Sequence, residues 1–439
     1  MILETAPIEA PLGGELTPPG DKSISHRSLI FGCLAAGETR IEGLLDSEDV
    51  KATAAACRQL GMGYREAGDV VLLQGVGEQG LSAPRAELYM GNSGTAMRLL
   101  AGVLAAQPFD SVLTGDESLS GRPMNRIVKP LRAMGAGIET GPGGRPPLKI
   151  RATAGLRGID YESPVASAQV KSCVLLAGLF ASGRTSVREP LLSRDHTERM
   201  LPAFGVELDG DRAVQGGSRL RGTSLRVPAD ISSAAFFMVA AALVPGSDIL
   251  LRNVGLNATR NGIVRVMRAM GADLVVENER LSGGEAVGDV RVRYAGRLRG
   301  TEIPENIVPA LIDELPVILA LAACCEGTTR VRGAAELRVK ESDRLAVMAA
   351  GLRTLGVELE EFPDGMDVTG GVIGGGVVDG AGDHRCAMSF CIVGQVATGP
   401  VTVHGCHNID TSYPGFVADL SRLGGCVRSA GPKQRGNDS

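Results

Sequence analysis

Lysine is scarce in this chain, with seven among 439 residues, yet two of the seven lie inside tight polar clusters. The first cluster is Gly20-Asp21-Lys22-Ser23-Ile24-Ser25-His26-Arg27, at the expected entrance to a helix. Backbone N–H groups at such an entrance, two hydroxyls and two cations can all face one anion. The second is Arg338-Val-Lys340-Glu341-Ser342-Asp343-Arg344, where a helix would put Lys340 and Arg344 on one face. Alone, either run reads as readily as a solvated face laced with ion pairs. Four more segments tilt the balance. Gly91-Asn92-Ser93-Gly94-Thr95-Ala96-Met97-Arg98 is a small-residue loop opening a helix, which lets a phosphate or carboxylate approach the backbone. Ser118-Leu-Ser-Gly121-Arg122-Pro123 sets an arginine on a Gly-Pro turn, a poor place for a purely structural one. Ser193-Arg194-Asp195-His196-Thr197-Glu198-Arg199 and Asp383-His384-Arg385 complete the set. Converging arginines and lysines can hold several anionic groups, arginine by paired hydrogen bonds and lysine as a point charge.

The elements that must position these residues repeat six times. An apolar residue, two variable residues, then Leu, Met or Phe and a glycine recur at Cys57–Gly61, Leu131–Gly135, Leu201–Gly205, Met267–Gly271, Leu352–Gly356 and Leu420–Gly424. The glycines are 74, 70, 66, 85 and 68 residues apart. An apolar pair closed by glycine is how an amphipathic helix ends, because glycine takes the left-handed position without a Cβ clash. Alternating apolar residues after three copies, Val206–Leu208, Ala272–Val276 and Val357–Leu359, predict strands. A second recurrent element, an apolar helix running through a Gly or Pro turn into a β-branched strand, lies at Leu34–Ile41, Phe180–Val187, Leu243–Leu250, Cys325–Val331 and Val396–Val403. Each unit therefore holds two helices and several strands. The period is too long for the usual solenoid modules, so compact α/β units grouped into lobes are expected. One polar cluster per unit then implies a shared cationic cleft.

The units also divide into two threes. Pro19-Gly-Asp21-Lys22-Ser23 opens the first, and Pro228-Ala-Asp230-Ile231-Ser232 opens the fourth. A duplicated half gives two lobes of a size that one core can serve.

Composition narrows the class. The N-terminus lacks the basic start and apolar run of a signal peptide, and no segment approaches the roughly 20 apolar residues of a membrane span. Nine scattered cysteines without a CxxC imply reduced thiols in a cytoplasmic protein rather than a disulfide frame or zinc site. A net charge of −5 argues against a nucleic-acid coat.

In order along the chain, GDKSISHR, GNSGTAMR, SGRP, SAQVKS, SRDHTER, LRVKESDR and DHR resemble the 5-enolpyruvylshikimate-3-phosphate synthase family of enolpyruvyl transferases. The resemblance covers about residues 10 to 428. It implies a two-lobed inside-out α/β barrel built from six βαβαββ-type repeats, three per lobe. The first lobe would be residues 20–230, the second residues 1–19 plus 231–428, with 429–439 a disordered tail. The implied reaction moves the enolpyruvyl group of phosphoenolpyruvate onto the 5-hydroxyl of shikimate 3-phosphate and releases phosphate. By resemblance, Lys22, Asp313 and Glu341 are catalytic. Lys22, Ser23, Arg27, Ser167, Gln169, Ser193, Arg194, Asp313 and Lys340 would hold shikimate 3-phosphate. Lys22, Gly94, Arg122, Gln169, Arg344, His384 and Arg385 would hold phosphoenolpyruvate. No metal or organic cofactor, nucleic acid or membrane is expected, and the protein would be a monomer.

Several positions depart from the family pattern. Ala168 stands where many relatives have Ser, His196 near a Tyr of some, Glu336 for a substrate-contacting Asn, and Thr411 for a basic residue of the phosphoenolpyruvate site. SAQVKS, SRDHTER and Asn257-Ala-Thr-Arg260 resemble the glyphosate-tolerant branch, whereas Gly94 matches the sensitive one. UDP-N-acetylglucosamine enolpyruvyl transferase is the nearest alternative, but it usually carries a cysteine in the loop that here reads Asp116–Pro123 without one. A non-catalytic repeat scaffold is the other.

Overall fold

Six helices of this protein are buried on nearly every face, and that dictates the layout. In the computed structural model, which describes residues 1–77, 80–210 and 212–430, these are Lys22–Leu34, Gly94–Leu104, Ala168–Gly178, Ile231–Leu243, Leu315–Ala322 and His384–Val393. Almost every residue in them is buried. A helix without a polar face must be enclosed on all sides, so sheets and amphipathic helices wrap around these six.

The wrapping makes two separate hydrophobic cores. One runs from Ile24 to Val227, and the other joins Leu3, Leu12 and Leu16 to residues from Ile231 to Val427. Three sheets surround each core. Four of the six sheets share one order, an outer strand parallel to its neighbour followed by an antiparallel pair. In the last of these, Leu3–Thr5 lies between Val401–His404 and Val427–Ser429, antiparallel to both. Gly13–Leu16 likewise adds a parallel edge to Asp248–Gly255. The N-terminal strands thus complete sheets built mainly from the second half of the sequence.

The six repeat-closing glycines behave as their spacing predicts. Gly61, Gly135, Gly205, Gly271, Gly356 and Gly424 all have φ between 81° and 111°, the region glycine enters without strain. Strands follow two of the three predicted places, as Asp273–Ser282 and Glu358–Phe362. The third expectation is corrected: Val206–Leu208 is not a strand. Beyond it, Asp209 N–H donates to Ala213 O, and one such bond does not make a ladder. The expected tail also starts too early. Val427–Ser429 pairs with Leu3–Thr5 and Ala430 donates to the carbonyl of Ile2; the remainder of that tail lies outside the described residues.

The two duplicated openings meet at the crossing between the cores. Gly20 pairs with Ala229, and Asp21 N–H donates to Pro228 O while Asp230 N–H donates to Pro19 O, each at 2.8 Å. Asp21 caps the helix that follows by accepting from Ile24 N–H, and Asp230 does the same for Ser232 N–H. Arg260 bridges both caps: Nη1 reaches Asp21 and Nη2 reaches Asp230, each at 2.9 Å, and Nη2 also donates to Ser232 Oγ. Its side chain is only 2% exposed. Among the described residues no helix is long and apolar enough to cross a membrane.

Removing one partner of a buried charge cluster strands the others. Arg260→Met is therefore expected to cost about 3–5 kcal/mol of stability, read from denaturant unfolding. A loss below about 1 kcal/mol, the surface-pair range, would show that the two caps do not depend on it.

Candidate active site

A fully enclosed helix can reach solvent only at its ends, and all six core helices end in the same place. Lys22, Gly94, Gln169, Asp230, Asp313 and His384, each at or just before the start of one of them, line a single cavity of about 480 Å³ between the two cores. Helix N-termini carry partial positive charge and free N–H groups, so six of them aimed at one space make it anion-seeking. Asp21, Ser93, Ser167, Asp230 and Asp383 cap five of these helices through their side chains.

All fifteen residues expected at the site line this cavity. On the first-core side, Lys22 Nζ lies 2.5 Å from Asp49. Burial raises the Asp49 carboxyl, and the Lys22 charge offsets this only in part. Arg27 is fixed by three hydrogen bonds, to Thr197 Oγ1, Ser172 Oγ and the carbonyl of Ser23. Burial pulls its guanidinium down to about 10, which still leaves it charged at neutral pH. Arg122 sits on its turn with Nη2 donating to Asn92 Oδ1 at 2.6 Å and to Ser118 Oγ. Gln169 bridges Arg98 and Thr95, accepting from one and donating to the other. Ser167 and Ser193 both face the cavity, and Glu189 holds them from behind.

The second-core side supplies carboxylates set among cations. Asp313 contacts Arg194 from across the cleft, with Arg344 at 3.3 Å and Lys340 at 3.5 Å. Burial pushes its carboxyl up, but Arg194, Lys340, Arg385 and Arg344 together hold it well below the usual range. Glu341 is treated alike: burial opposes ionisation, yet Arg344 at 2.5 Å and Arg122 at 3.3 Å keep it well below its ordinary value. Arg344 is 1% exposed and is aimed by Asp383, which accepts from its Nε at 2.7 Å. Arg385 Nη1 donates to the carbonyl of Asp313. His384 is driven well below its normal value by burial and by Lys22 and Arg385, so it is neutral at pH 7. Its Nδ1 is buried without a partner among the described residues.

One expectation needs correction, and two departures from the family pattern lie off the cavity. Lys340 and Arg344 do not share a helical face, because Asp343 caps a new helix that begins only at Arg344. They meet instead at Asp313. His196 turns away from the cavity and pairs with Glu285 at 2.7 Å. Thr411 is buried, donates to the carbonyl of Asn408, and does not line the cavity. Residues not expected at the site also line it. Asp49 follows Ser47 and Glu48 in what reads as an ordinary helix start, so nothing in its spacing marked it. Arg98 ends the small-residue loop Gly91–Arg98 and Arg260 ends Asn257-Ala-Thr-Arg260, and both face the cavity. Arg126 pairs with Glu336 across the cleft at 2.5 Å.

Comparison with known proteins matches this geometry to a family. The profile described as EPSP synthase (3-phosphoshikimate 1-carboxyvinyltransferase) matches residues 7–420. The chain belongs to the EPSP synthase family. The 3-phosphoshikimate 1-carboxyvinyltransferase of Xanthomonas campestris pv. campestris (strain B100) is 56% identical over 425 residues, spanning 96% of this chain and 97% of that protein. That of Xanthomonas euvesicatoria pv. vesicatoria (strain 85-10) is 55% identical over 424 residues, 96% of each chain. A solved EPSP synthase of Acinetobacter baumannii superposes with a TM-score of 0.87 at 49% identity, covering 98% of this chain and all of that one. The two-lobed α/β fold of EPSP synthases is therefore the fold of this chain.

Asp313 yields a pH test. A carboxyl with a depressed folded value stabilises the protein above its unfolded value and loses that contribution as pH falls through the folded one. The stability difference between the parent and Asp313→Asn should be constant above about pH 5 and shrink below about pH 4. Thermal unfolding of both proteins from pH 7 to 3 measures it. A difference that does not change over that range would mean the surrounding cations do not hold Asp313 ionised.

Proposed function

We infer that this protein transfers the enolpyruvyl group of phosphoenolpyruvate to the 5-hydroxyl of shikimate 3-phosphate, releasing phosphate. The carrying observation is the pair of part-buried carboxylates, Asp313 and Glu341, each in contact with several cations inside one cleft. Both substrates are polyanions, and each brings a phosphate and a carboxylate. Lys22, Arg122, Arg344 and Arg385, around Gly94 and with Gln169 and His384 beside them, suit phosphoenolpyruvate. Lys22, Ser23, Arg27, Ser167, Gln169, Ser193, Arg194 and Lys340 suit shikimate 3-phosphate, with the 3-phosphate against Ser167 and Ser193 at the start of the helix Ala168–Gly178.

The resting ion pairs give the two carboxylates different parts. Asp313 is charged and faces the shikimate side; as shikimate 3-phosphate draws Arg194 and Lys340 to itself, the proton affinity of Asp313 rises and it takes the proton of the 5-hydroxyl. Glu341 must deliver a proton to the methylene carbon of phosphoenolpyruvate, which a fully ionised carboxylate cannot do. Phosphoenolpyruvate resolves this by bringing its own carboxylate to Arg122 and Arg344. Shared between two anions, those arginines stabilise the charge on Glu341 less, so its affinity for a proton rises and it takes one from solvent. The 5-oxygen bonds to the central carbon of phosphoenolpyruvate as that proton arrives at the methylene. In the second half the methyl group returns a proton to Glu341, the carbon–oxygen bond to phosphate breaks, and Lys22 gives a proton to the departing phosphate; on product release Asp313 and Glu341 lose their protons to solvent and Lys22 regains one. Fixed cations in a water-poor cleft stabilise charge as it develops.

The same reading takes residues 20–230 as one lobe and residues 1–19 plus 231–428 as the other, in a monomeric cytoplasmic enzyme. Nine unpaired cysteines, seven of them buried, fit a reducing compartment. The deciding experiment is phosphate release from phosphoenolpyruvate with shikimate 3-phosphate as acceptor, against UDP-N-acetylglucosamine. Release with the sugar nucleotide alone would overturn the reading.

Two substitutions probe the parts. Glu341→Gln keeps the shape but cannot shuttle a proton, so turnover should drop about 10²–10⁴-fold with shikimate 3-phosphate binding retained. Turnover near that of the parent would remove Glu341 from the mechanism. At Gly94 an added Cβ meets Arg98 Nη1 at 2.9 Å and Arg122 Nη1 at 3.3 Å, both flexible ends that can shift but only by crowding the phosphoenolpyruvate site. Gly94→Ala should raise the phosphoenolpyruvate KM modestly and weaken the longer glyphosate by about 5- to 150-fold. Equal glyphosate inhibition of both forms would take Gly94 out of this pocket.

A further inference from the structure

One carboxylate behind the cleft holds both serines of the 3-phosphate pocket. Glu189 accepts the N–H of Ser167 through Oε1 at 2.7 Å, and the Ser193 hydroxyl lies 2.7 and 2.8 Å from its two oxygens. Its side chain is 3% exposed, and Lys171 Nζ, itself 1% exposed, lies 3.0 Å away. Lys171 stands one turn into the helix that Ser167 caps. The same ammonium meets Glu198 at 2.8 Å and the carbonyl of Ser193 at 3.5 Å. Ser167 and Ser193 line the cavity, whereas Lys171 and Glu189 do not.

Two carboxylates and an ammonium buried together are a poor source of stability, because desolvation consumes most of the attraction. What the arrangement does is fix geometry. The ammonium ties together the helix Ala168–Gly178, the end of the strand Arg184–Arg188 and the helix His196–Met200. A serine hydroxyl has one proton to give, and Ser193 gives it to Glu189 here. Rotation about its Cβ–Oγ bond can pass that donation to a phosphate, while Ser167 N–H and Lys171 keep Glu189 paired.

We propose that Lys171 and Glu189 are positioning residues for the 3-phosphate: Glu189 sets the spacing of Ser167 and Ser193, and Lys171 fixes Glu189. This rests on the reading above, which gives those serines to the phosphate. Lys171, in SAQVKS, thereby gains a task that the reaction alone did not give it.

The test is Glu189→Gln, which keeps the side-chain shape and leaves Lys171 balanced by Glu198, so the fold is retained. Binding of shikimate 3-phosphate and of shikimate is measured by calorimetry, with KM for both reaction substrates. Shikimate 3-phosphate should bind about tenfold more weakly, with shikimate affinity and the phosphoenolpyruvate KM changed by less than about twofold. Ser193→Ala should show the same selective loss, and the double variant should be little worse than either single one. If Ser193→Ala loses affinity but Glu189→Gln only lowers the melting temperature, the pair is merely structural and the inference fails while the pocket stands. If Ser193→Ala binds shikimate 3-phosphate normally, the pocket assignment fails and the inference with it.

Discussion

Six helices enclosed along their length, with their N-termini turned to one cleft, impose the rest of this structure. Enclosure on all sides forces sheets and amphipathic helices to wrap them into two cores. Their ends then converge on one cleft, where the dipoles and unpaired N–H groups favour anions. The polar motifs sit at these ends because an enclosed helix has nowhere else for a charged side chain to reach water. Arg260 belongs to the same constraint. It joins the caps of the first helix of each half, Asp21 and Asp230, and so fixes the angle at which the two sets of ends face each other.

A cleft so cationic needs anions even at rest, and the protein supplies its own. Asp49 answers Lys22, Glu341 answers Arg122 and Arg344, Asp313 answers Arg194 and Lys340, and Glu336 answers Arg126. Three of these sets reach across from one core to the other, so the cleft is already bridged. On the proposed reading, substrate anions exchange with protein carboxylates, and the exchange retunes the carboxylate left behind. Binding and proton transfer are thereby joined through the same arginines.

Much of this was legible in the sequence because caps and helix ends are local chemistry. The glycines from Gly61 to Gly424 announce left-handed turns, and Asp21 and Asp230 announce matching helix starts, without knowledge of anything distant. The ordered motifs then named the site residues by resemblance, and all of them reach one cavity. What stayed hidden was pairing over long separations. Nothing near Asp49 points to Lys22, and nothing in Asn257-Ala-Thr-Arg260 points to Asp21, more than 230 residues away. Glu189 reads as a loop carboxylate until Ser167, Lys171 and Ser193 are seen around it. The mistaken helix through Lys340 had a local cause: Asp343 is a better cap than an interior residue, and the helix starts after it.

In the proposed mechanism Glu341 is held ionised by Arg122 and Arg344 and gains proton affinity when a substrate carboxylate joins them. Carbon-13 NMR of protein labelled at the glutamate carboxyl carbons, with Glu341 assigned by loss of its signal in Glu341→Gln, measures this directly. Titrations are run on the free protein and on its complex with shikimate 3-phosphate and a non-reactive phosphoenolpyruvate analogue. The expected result is a value well below the ordinary carboxylate range in the free protein and a clear rise in the complex. The same low value in both states would contradict it.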